Sequence, residues 1–185
     1  MRQLQRDDAV VPESEIDYLT DTLADHTAAW IADQAKAAQP WFVYLAFNAP
    51  HTPMQARADD LDRFASITDR RRRTYAGMLF AMDRAIGRIV ARLEETGQRE
   101  RTLIIFLNDN GGATNNGADN GLWRGRKGSK WEGGLRVPFI TSWAKRNPNN
   151  PWQKKLPIPA NSIRQEIGTC YDLFPTLANF VGAPI

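Results

Sequence analysis

Thr102-Leu103-Ile104-Ile105-Phe106-Leu107-Asn108-Asp109-Asn110-Gly111-Gly112 is an unbroken apolar run that stops at a carboxylate, two amides and a diglycine. Five consecutive apolar residues do not alternate as a half-solvated strand would, and they are too few for a helix. Residues 103–107 therefore read as a strand buried on both faces. Asp109 and Asn110 then lie at its carboxyl end, the edge where open parallel sheets bind ligands. Gly111-Gly112 lets the backbone turn sharply and approach a ligand closely. Downstream, Arg124, Arg126, Lys127 and Lys130 stand among Gly121, Gly125 and Gly128, ahead of Trp131-Glu132-Gly133-Gly134-Leu135-Arg136-Val137-Pro138. Oxygen donors beside clustered cations point to a metal ion and an anionic substrate.

Working outward, Trp41-Phe42-Val43-Tyr44-Leu45-Ala46-Phe47 is a second apolar run of strand length, and it too reads as buried on both faces. Pro50 and Pro53 hold His51 on a constrained loop at its carboxyl end. Between the two strands, Met78, Leu79, Met82, Ile86, Ile89, Val90 and Leu93 make one stripe, which predicts a helix over 74–95 with Thr96-Gly97 as its stop. Strand, helix and strand form a right-handed crossover, so the strands should be parallel and their carboxyl ends should share an edge. The fold class is α/β, a mostly parallel sheet flanked by helices. On that topology His51 and Asp109-Asn110 fall on one edge of the sheet.

Residues 1–15 are polar, carry Pro12 and show no period, and read as an extended lead-in. Leu23, Thr27, Trp30, Ile31 and Ala35 predict a helix over 20–38, capped by Thr20 or Asp21. Phe139–Trp143 reads as a further strand, and the proline-rich 144–161 as a long polar excursion. Asp172 caps a last helix running to Val181, with Gly182 as its stop.

A chain of 185 residues is long enough for one well-buried domain. The net charge of +3, from 24 Lys and Arg against 21 Asp and Glu, is too small to favour nucleic acid as a partner. Arg70-Arg71-Arg72-Arg73 reads as a solvated helix start, since no aromatic platform interleaves with it. One cysteine, Cys170, forms no internal disulfide or thiolate zinc site, and reads as a small buried hydrophobe. The first residues lack the apolar core of a signal peptide, and no run of eighteen apolar residues marks a membrane span. The basic glycine loop lacks the Gly-Lys-Ser/Thr spacing of a P-loop. Taken singly, Asp109-Asn110-Gly111 is equally an ordinary turn, and His51 reads more readily as a loop histidine bonded to a carbonyl than as a catalytic group.

Taken together, six segments resemble the type I sulfatases of the alkaline phosphatase superfamily. They are Tyr18–Asp21; Phe42–Phe47 leading into Ala49-Pro50-His51-Thr52-Pro53; Tyr75–Gly87; Thr102–Gly112; Arg124–Pro138; and Asp172–Leu177. The resemblance runs in register from about residue 16 to 184. It implies that Asp109 and Asn110 are two of the calcium ligands, that Lys127 contacts the sulfate ester oxygens, and that His51 is the general acid for the departing alcohol. Trp131, Glu132 and Arg136 are assigned to loop and core structure. The substrate implied is an aryl or sugar sulfate ester. Members of the family are commonly periplasmic, secreted or lysosomal.

The family's nucleophile is a formylglycine made from the Cys or Ser of a Cys/Ser-x-Pro-Ser/Thr-Arg motif, and these 185 residues contain no such motif. The early Asp-Asp pair of the calcium site, and the lysine and histidine that complete the sulfate pocket, are also unmatched. The resemblance therefore implies that 16–185 is the carboxyl-terminal part of a sulfatase catalytic domain, inactive alone, whose partner is the missing amino-terminal half. A phosphoesterase or phosphonate hydrolase of the same superfamily is the rival reading, but it needs several histidine ligands and the chain has two histidines. A non-catalytic module binding anions or carbohydrate is the other.

Overall fold

The computed structural model describes residues 4–37 and 39–184. Two compact units divide them: unit 1 holds the residues up to Gln98 together with Leu107–Phe139, and unit 2 holds Arg99–Phe106 together with the residues from Ile140 onward.

Unit 1 begins with a hairpin where the sequence predicts an extended lead-in. β1 (Gln5–Arg6) pairs antiparallel with β2 (Ala9–Val10), Gln5 facing Val10 and Arg6 facing Ala9. Residues 1–3 of that lead-in, and Ala38 at the expected end of the first helix, lie outside the described residues. That helix, α1 (Leu19–Gln34), starts before the caps assigned to it. Tyr18 takes the cap position in extended backbone, and its hydroxyl donates to the Gln55 carbonyl at 3.0 Å. Thr20 and Asp21 sit inside the first turn, because Thr20 is buried and the Asp21 carboxylate receives Arg84 and Arg88. Tertiary ion pairs override the local cap preference there.

A six-residue helix, α2 (Ala58–Arg63), precedes the long α3 (Arg70–Glu95). Helix α3 starts four residues earlier than its stripe predicts, because the Asp69 carboxylate accepts the Arg72 N–H at 2.6 Å. It stops as expected, at Thr96 with Gly97 at φ 65°. Arg71–Arg73 do more than solvate this start. Arg71 donates to the Asn115 carbonyl at 2.9 Å, Arg72 to that of Gly117, and Arg73 Nε to that of Leu61 at 2.8 Å.

Helix α1 packs along α3 through small residues. Ala24 and Ala28 of α1, and Ala81 and Ala85 of α3, are buried with Ile31, Met78 and Leu93. Alanines four apart stand on one helical face and let two backbones approach closely. Much of the predicted large-residue stripe, including Leu79, Met82, Ile86, Ile89 and Val90, is only half-buried. Gln98 closes the end of the pair: it accepts from Trp41 Nε1 at 2.9 Å and donates to the Ile31 carbonyl at 3.1 Å.

An ion network ties α1, α2 and α3 together. Asp60, 1% exposed, receives both terminal nitrogens of Arg84, which also reaches Asp21 at 3.3 Å. Arg88 bridges Asp21 and Asp25, and Arg57 bridges Asp17 and Asp21. The Asp60 hydrogen bond comes first among the causes that hold the Arg84 guanidinium more firmly protonated than usual. Removing one partner of such a pair strands the other charge. Asp60→Ala is expected to cost about 2 kcal/mol, below the range for fully buried pairs because the Arg84 side chain is 34% exposed. Chemical denaturation reads this directly, and a midpoint equal to that of the unsubstituted chain would show that the network contributes nothing.

The predicted strand at 41–47 joins no ladder among the described residues. Its side chains alternate: Trp41, Val43, Leu45 and Phe47 are half-buried, while Phe42 is 73% and Tyr44 82% exposed. Burial on both faces is thus not observed. An apolar run reports that a strand's surroundings are apolar, but the covering elements must be present to bury it.

β3 (Leu103–Leu107) is half-buried along its whole length and pairs with β4 (Phe139–Trp143) in a two-stranded sheet. The sequence reading set β3 parallel to 41–47; its hydrogen-bonded neighbour is β4. In unit 2 the expected polar excursion contains a helical turn, α5 (Pro151–Lys155), capped by Asn150, whose Oδ1 accepts from Trp152 at 2.9 Å. Buried Gln153 orders it, donating to the carbonyls of Glu100 (2.7 Å) and Lys145 (2.9 Å). The Asn147 hydrogen bond, followed by Lys145, holds the Glu100 carboxyl below its ordinary range. The last helix, α6 (Leu173–Val181), begins after Asp172 and ends at Gly182 with φ 80°, as predicted. Cys170 is exposed, contrary to its reading as a core residue, because it lies in the short turn ahead of α6.

Candidate functional site

Past β3, the backbone of Asn108–Gly112 is bonded to the basic loop. Gly111 N–H donates to the Gly134 carbonyl at 3.0 Å, and Lys127 N–H donates to the Gly112 carbonyl at 3.0 Å. Gly133 N–H donates to the Arg124 carbonyl at 2.8 Å. The diglycines follow from this crossing. A Cβ on Gly111 would stand 2.0 Å from the Gly133 oxygen, and one on Gly133 would stand 2.4 Å from the Gly125 oxygen. Two glycine-bearing strands of chain pass closer than any side chain permits, so the loop carrying Asp109 and Asn110 is fixed against the loop carrying Lys127.

The single turn α4 (Glu132–Leu135) follows. Trp131, Glu132 and Arg136, assigned to loop and core, belong to the loop surface alone, since all three are exposed. Arg124 stacks on Trp131 at 3.8 Å, and Arg136 on Trp123 at 4.3 Å. These guanidinium–indole stacks stiffen an exposed loop that has little apolar packing.

Asp109 is exposed and Asn110 half-buried, and neither side chain has a hydrogen-bond or ion-pair partner among the described residues. Lys127 is exposed, with its backbone fixed. His51 is exposed, its N–H donating to the Asn48 carbonyl at 2.8 Å. Its ring Nδ1 lies 2.8 Å from the Thr52 carbonyl oxygen and 3.4 Å from Thr52 Oγ1. A carbonyl only accepts, so Nδ1 carries the proton and Nε2 is the nitrogen left for another partner. The bland reading of His51 is thus correct for one ring nitrogen and leaves the other available. The structure brings the Asp109-Asn110 and Lys127 loops into direct contact, and places His51 in the same compact unit with its hydrogen bonds confined to 48–52.

Asn120 escaped the sequence reading. Its Oδ1 accepts the Gly112 N–H at 2.9 Å, and its Nδ2 donates to the carbonyls of Gly112 (3.2 Å) and Gly125 (3.1 Å). An asparagine before a glycine is the composition of any turn, so its spacing carries no signal.

A sulfatase family model matches residues 4–183. A sulfatase of Formosa agariphila is 34% identical over 184 residues, covering 91% of this chain and 31% of its own length. Arylsulfatase J of Mus musculus is 33% identical, covering 80% of this chain and 23% of its own. The crystal structure of Ps i-CgsB in complex with k-i-k-neocarrahexaose superposes with a TM-score of 0.89 at 36% identity, covering all of this chain and 38% of that one. Fold and site together define an α/β chain of the alkaline-phosphatase-like class. The chain belongs to the sulfatase family. It spans less than a third of the length of the curated relatives it matches.

Sulfatases as a family use metal ions. An unpartnered carboxylate and amide are oxygen donors of the kind a hard cation takes. No three His, Cys, Asp or Glu side chains converge to hold a metal among the described residues, so Asp109 and Asn110 fit as a minority of a shell of about six to eight oxygens. Among the described residues no helix is long and apolar enough to cross a membrane.

Proposed function

We propose that this chain supplies the metal-ligand, sulfate-contacting and proton-donating residues of a sulfuric ester hydrolase acting on aryl or carbohydrate sulfates, with a formylglycine nucleophile carried on a segment outside these 185 residues. The observation that supports the reading is the backbone bond from Lys127 to Gly112, which joins the segment carrying this lysine to the segment carrying an unpartnered carboxylate and amide. Asp109 and Asn110 would hold calcium, which when bound polarises the sulfate and the nucleophile. Lys127 directs its ammonium to the ester oxygens and offsets the charge that grows there as the S–O bond breaks. His51, held through Nδ1, presents Nε2–H as imidazolium to the departing alcohol oxygen. The family neighbours favour this reading over a phosphoesterase, and the neocarrahexaose complex supports the carbohydrate arm of the substrate class.

The test is sulfate release from nitrophenyl and sugar sulfates by this chain joined to a formylglycine-bearing amino-terminal segment, hereafter the complete enzyme. Expected are turnover by the complete enzyme, none by the 185 residues alone, loss on chelation and recovery with calcium. Calcium should bind the 185 residues weakly, because two side chains fill little of its shell. Submicromolar binding by the short chain, or turnover indifferent to chelator, would refute the assignment.

A further inference from the structure

We propose that Asn120 is a positioning residue which couples the Asp109-Asn110 loop to the Lys127 loop, so that metal binding and the placement of the sulfate-contacting lysine are one event. This rests on the reading of those residues as a single site. Every polar atom of the Asn120 amide is committed to backbone. Oδ1 takes the Gly112 N–H, and Nδ2 serves the Gly112 and Gly125 carbonyls. Both polar atoms of the Gly112 residue are thereby held by one side chain, and the Gly112 carbonyl also accepts the Lys127 N–H. Gly112 follows Asp109-Asn110 by two residues, and Gly125 precedes Lys127 by two. The clamp thus spans the interval between the two functional groups.

The fit is close on the backbone side as well, since a Cβ on Gly112 would stand 2.7 Å from Asn120 Oδ1. The chemistry requires an amide. An aspartate keeps the acceptor for Gly112 N–H, but it turns a negative oxygen toward two carbonyl oxygens. An alanine makes none of the three bonds. Neither substitution touches an atom assigned to the metal or the sulfate. Asn120 acts only through the peptides it holds, and its loss should uncouple the loops rather than remove a ligand.

The experiment uses the 185-residue chain, with calcium chloride at millimolar concentration as the probe and backbone amide NMR as the readout. In the unsubstituted chain calcium is expected to shift the amides of 109–112 and also those of 125–127. In Asn120→Ala the shift should stay confined to 109–112, and the Lys127 amide should exchange with solvent on the order of tenfold faster. Gln98→Ala is the control: it removes another backbone-bonding amide of the same unit and should leave Lys127 exchange and the spread of the calcium response unaltered. Lys127 exchange unchanged in Asn120→Ala, or a calcium shift that still reaches 125–127, overturns the proposal. If the unsubstituted chain shows no calcium response at all, the metal reading fails, and the exchange of Lys127 alone decides whether Asn120 clamps the loops. Asn120→Asp showing the same exchange as the unsubstituted chain would also overturn it, since that variant lacks both donated bonds.

Discussion

His51→Ala in the complete enzyme is expected to lower turnover of sugar sulfates on the order of a hundredfold or more, and turnover of nitrophenyl sulfate clearly less. The difference follows from the leaving group. A sugar alkoxide is a poor leaving group and needs a proton as the S–O bond breaks, whereas a nitrophenolate departs unaided. General-acid assistance follows the basicity of the oxygen that receives the proton. The His51 ring is already held by Nδ1 against the Thr52 carbonyl, so under the proposed mechanism Nε2 is the nitrogen free to serve the ester. Lys127→Ala should behave otherwise. In the proposed mechanism its charge meets the sulfuryl oxygens whatever group departs, so its penalty, about a hundredfold to a thousandfold, should be nearly independent of the leaving group. Rates across aryl sulfates of graded phenol acidity separate the two residues. Equal slopes for the unsubstituted enzyme and His51→Ala would remove the proton-donor role from His51.

Gly111→Ala is expected to destabilise unit 1 by about 3 kcal/mol or more, the upper end for overpacking, because the clash is with backbone. The added Cβ would lie 2.0 Å from the Gly133 oxygen and 2.9 Å from the Gly134 Cα. Neither neighbour ends in a flexible side chain that can swing away. The Gly111 N–H bond to Gly134 and the Lys127 placement should be lost together, so calcium binding and the fold of the loop should fail in the same variant. Gly87→Ala provides the contrast. Gly87 is exposed in α3 with nothing within 4 Å of a Cβ, so alanine there should gain about 0.5 to 1 kcal/mol. Denaturant midpoints of the two variants check this. Gly111→Ala lying within the scatter of the unsubstituted chain would show that the two loops do not cross as closely as described.

Residues 103–112 illustrate why much of the site was legible in the chain itself. An apolar run of five residues that ends at Asn-Asp-Asn-Gly-Gly reads as a strand followed by oxygen donors, because its length and the flanking glycines favour strand over helix. Asp109 and Asn110 stand out that way, Lys127 stands out through the basic glycine loop and the resemblance, and the loops that carry them are bonded to one another. The stop of α3 at Gly97, the bounds of β4 and the end of α6 were equally legible, because glycine at positive φ and apolar runs of strand length act over a few residues.

The sequence by itself determined the helices α3 and α6 with their glycine stops, the strands β3 and β4, and the oxygen-donor residue types that follow β3. All of these depend on interactions within a turn or two of chain. Tertiary structure decided which faces are buried, where α1 and α3 begin, and what fills the space between the loops. Ala24, Ala28, Ala81 and Ala85 form the helix contact because small residues let backbones approach, a property of the pair that neither helix's large-residue stripe reveals. Asp21 left its expected cap for Arg84 and Arg88, which lie more than sixty residues away in sequence. Phe42 and Tyr44 remain exposed because burial belongs to whatever covers a strand and not to the strand. Asn120 was invisible for the same reason: its three partners lie on two segments of backbone, and only the folded loop brings them to one amide.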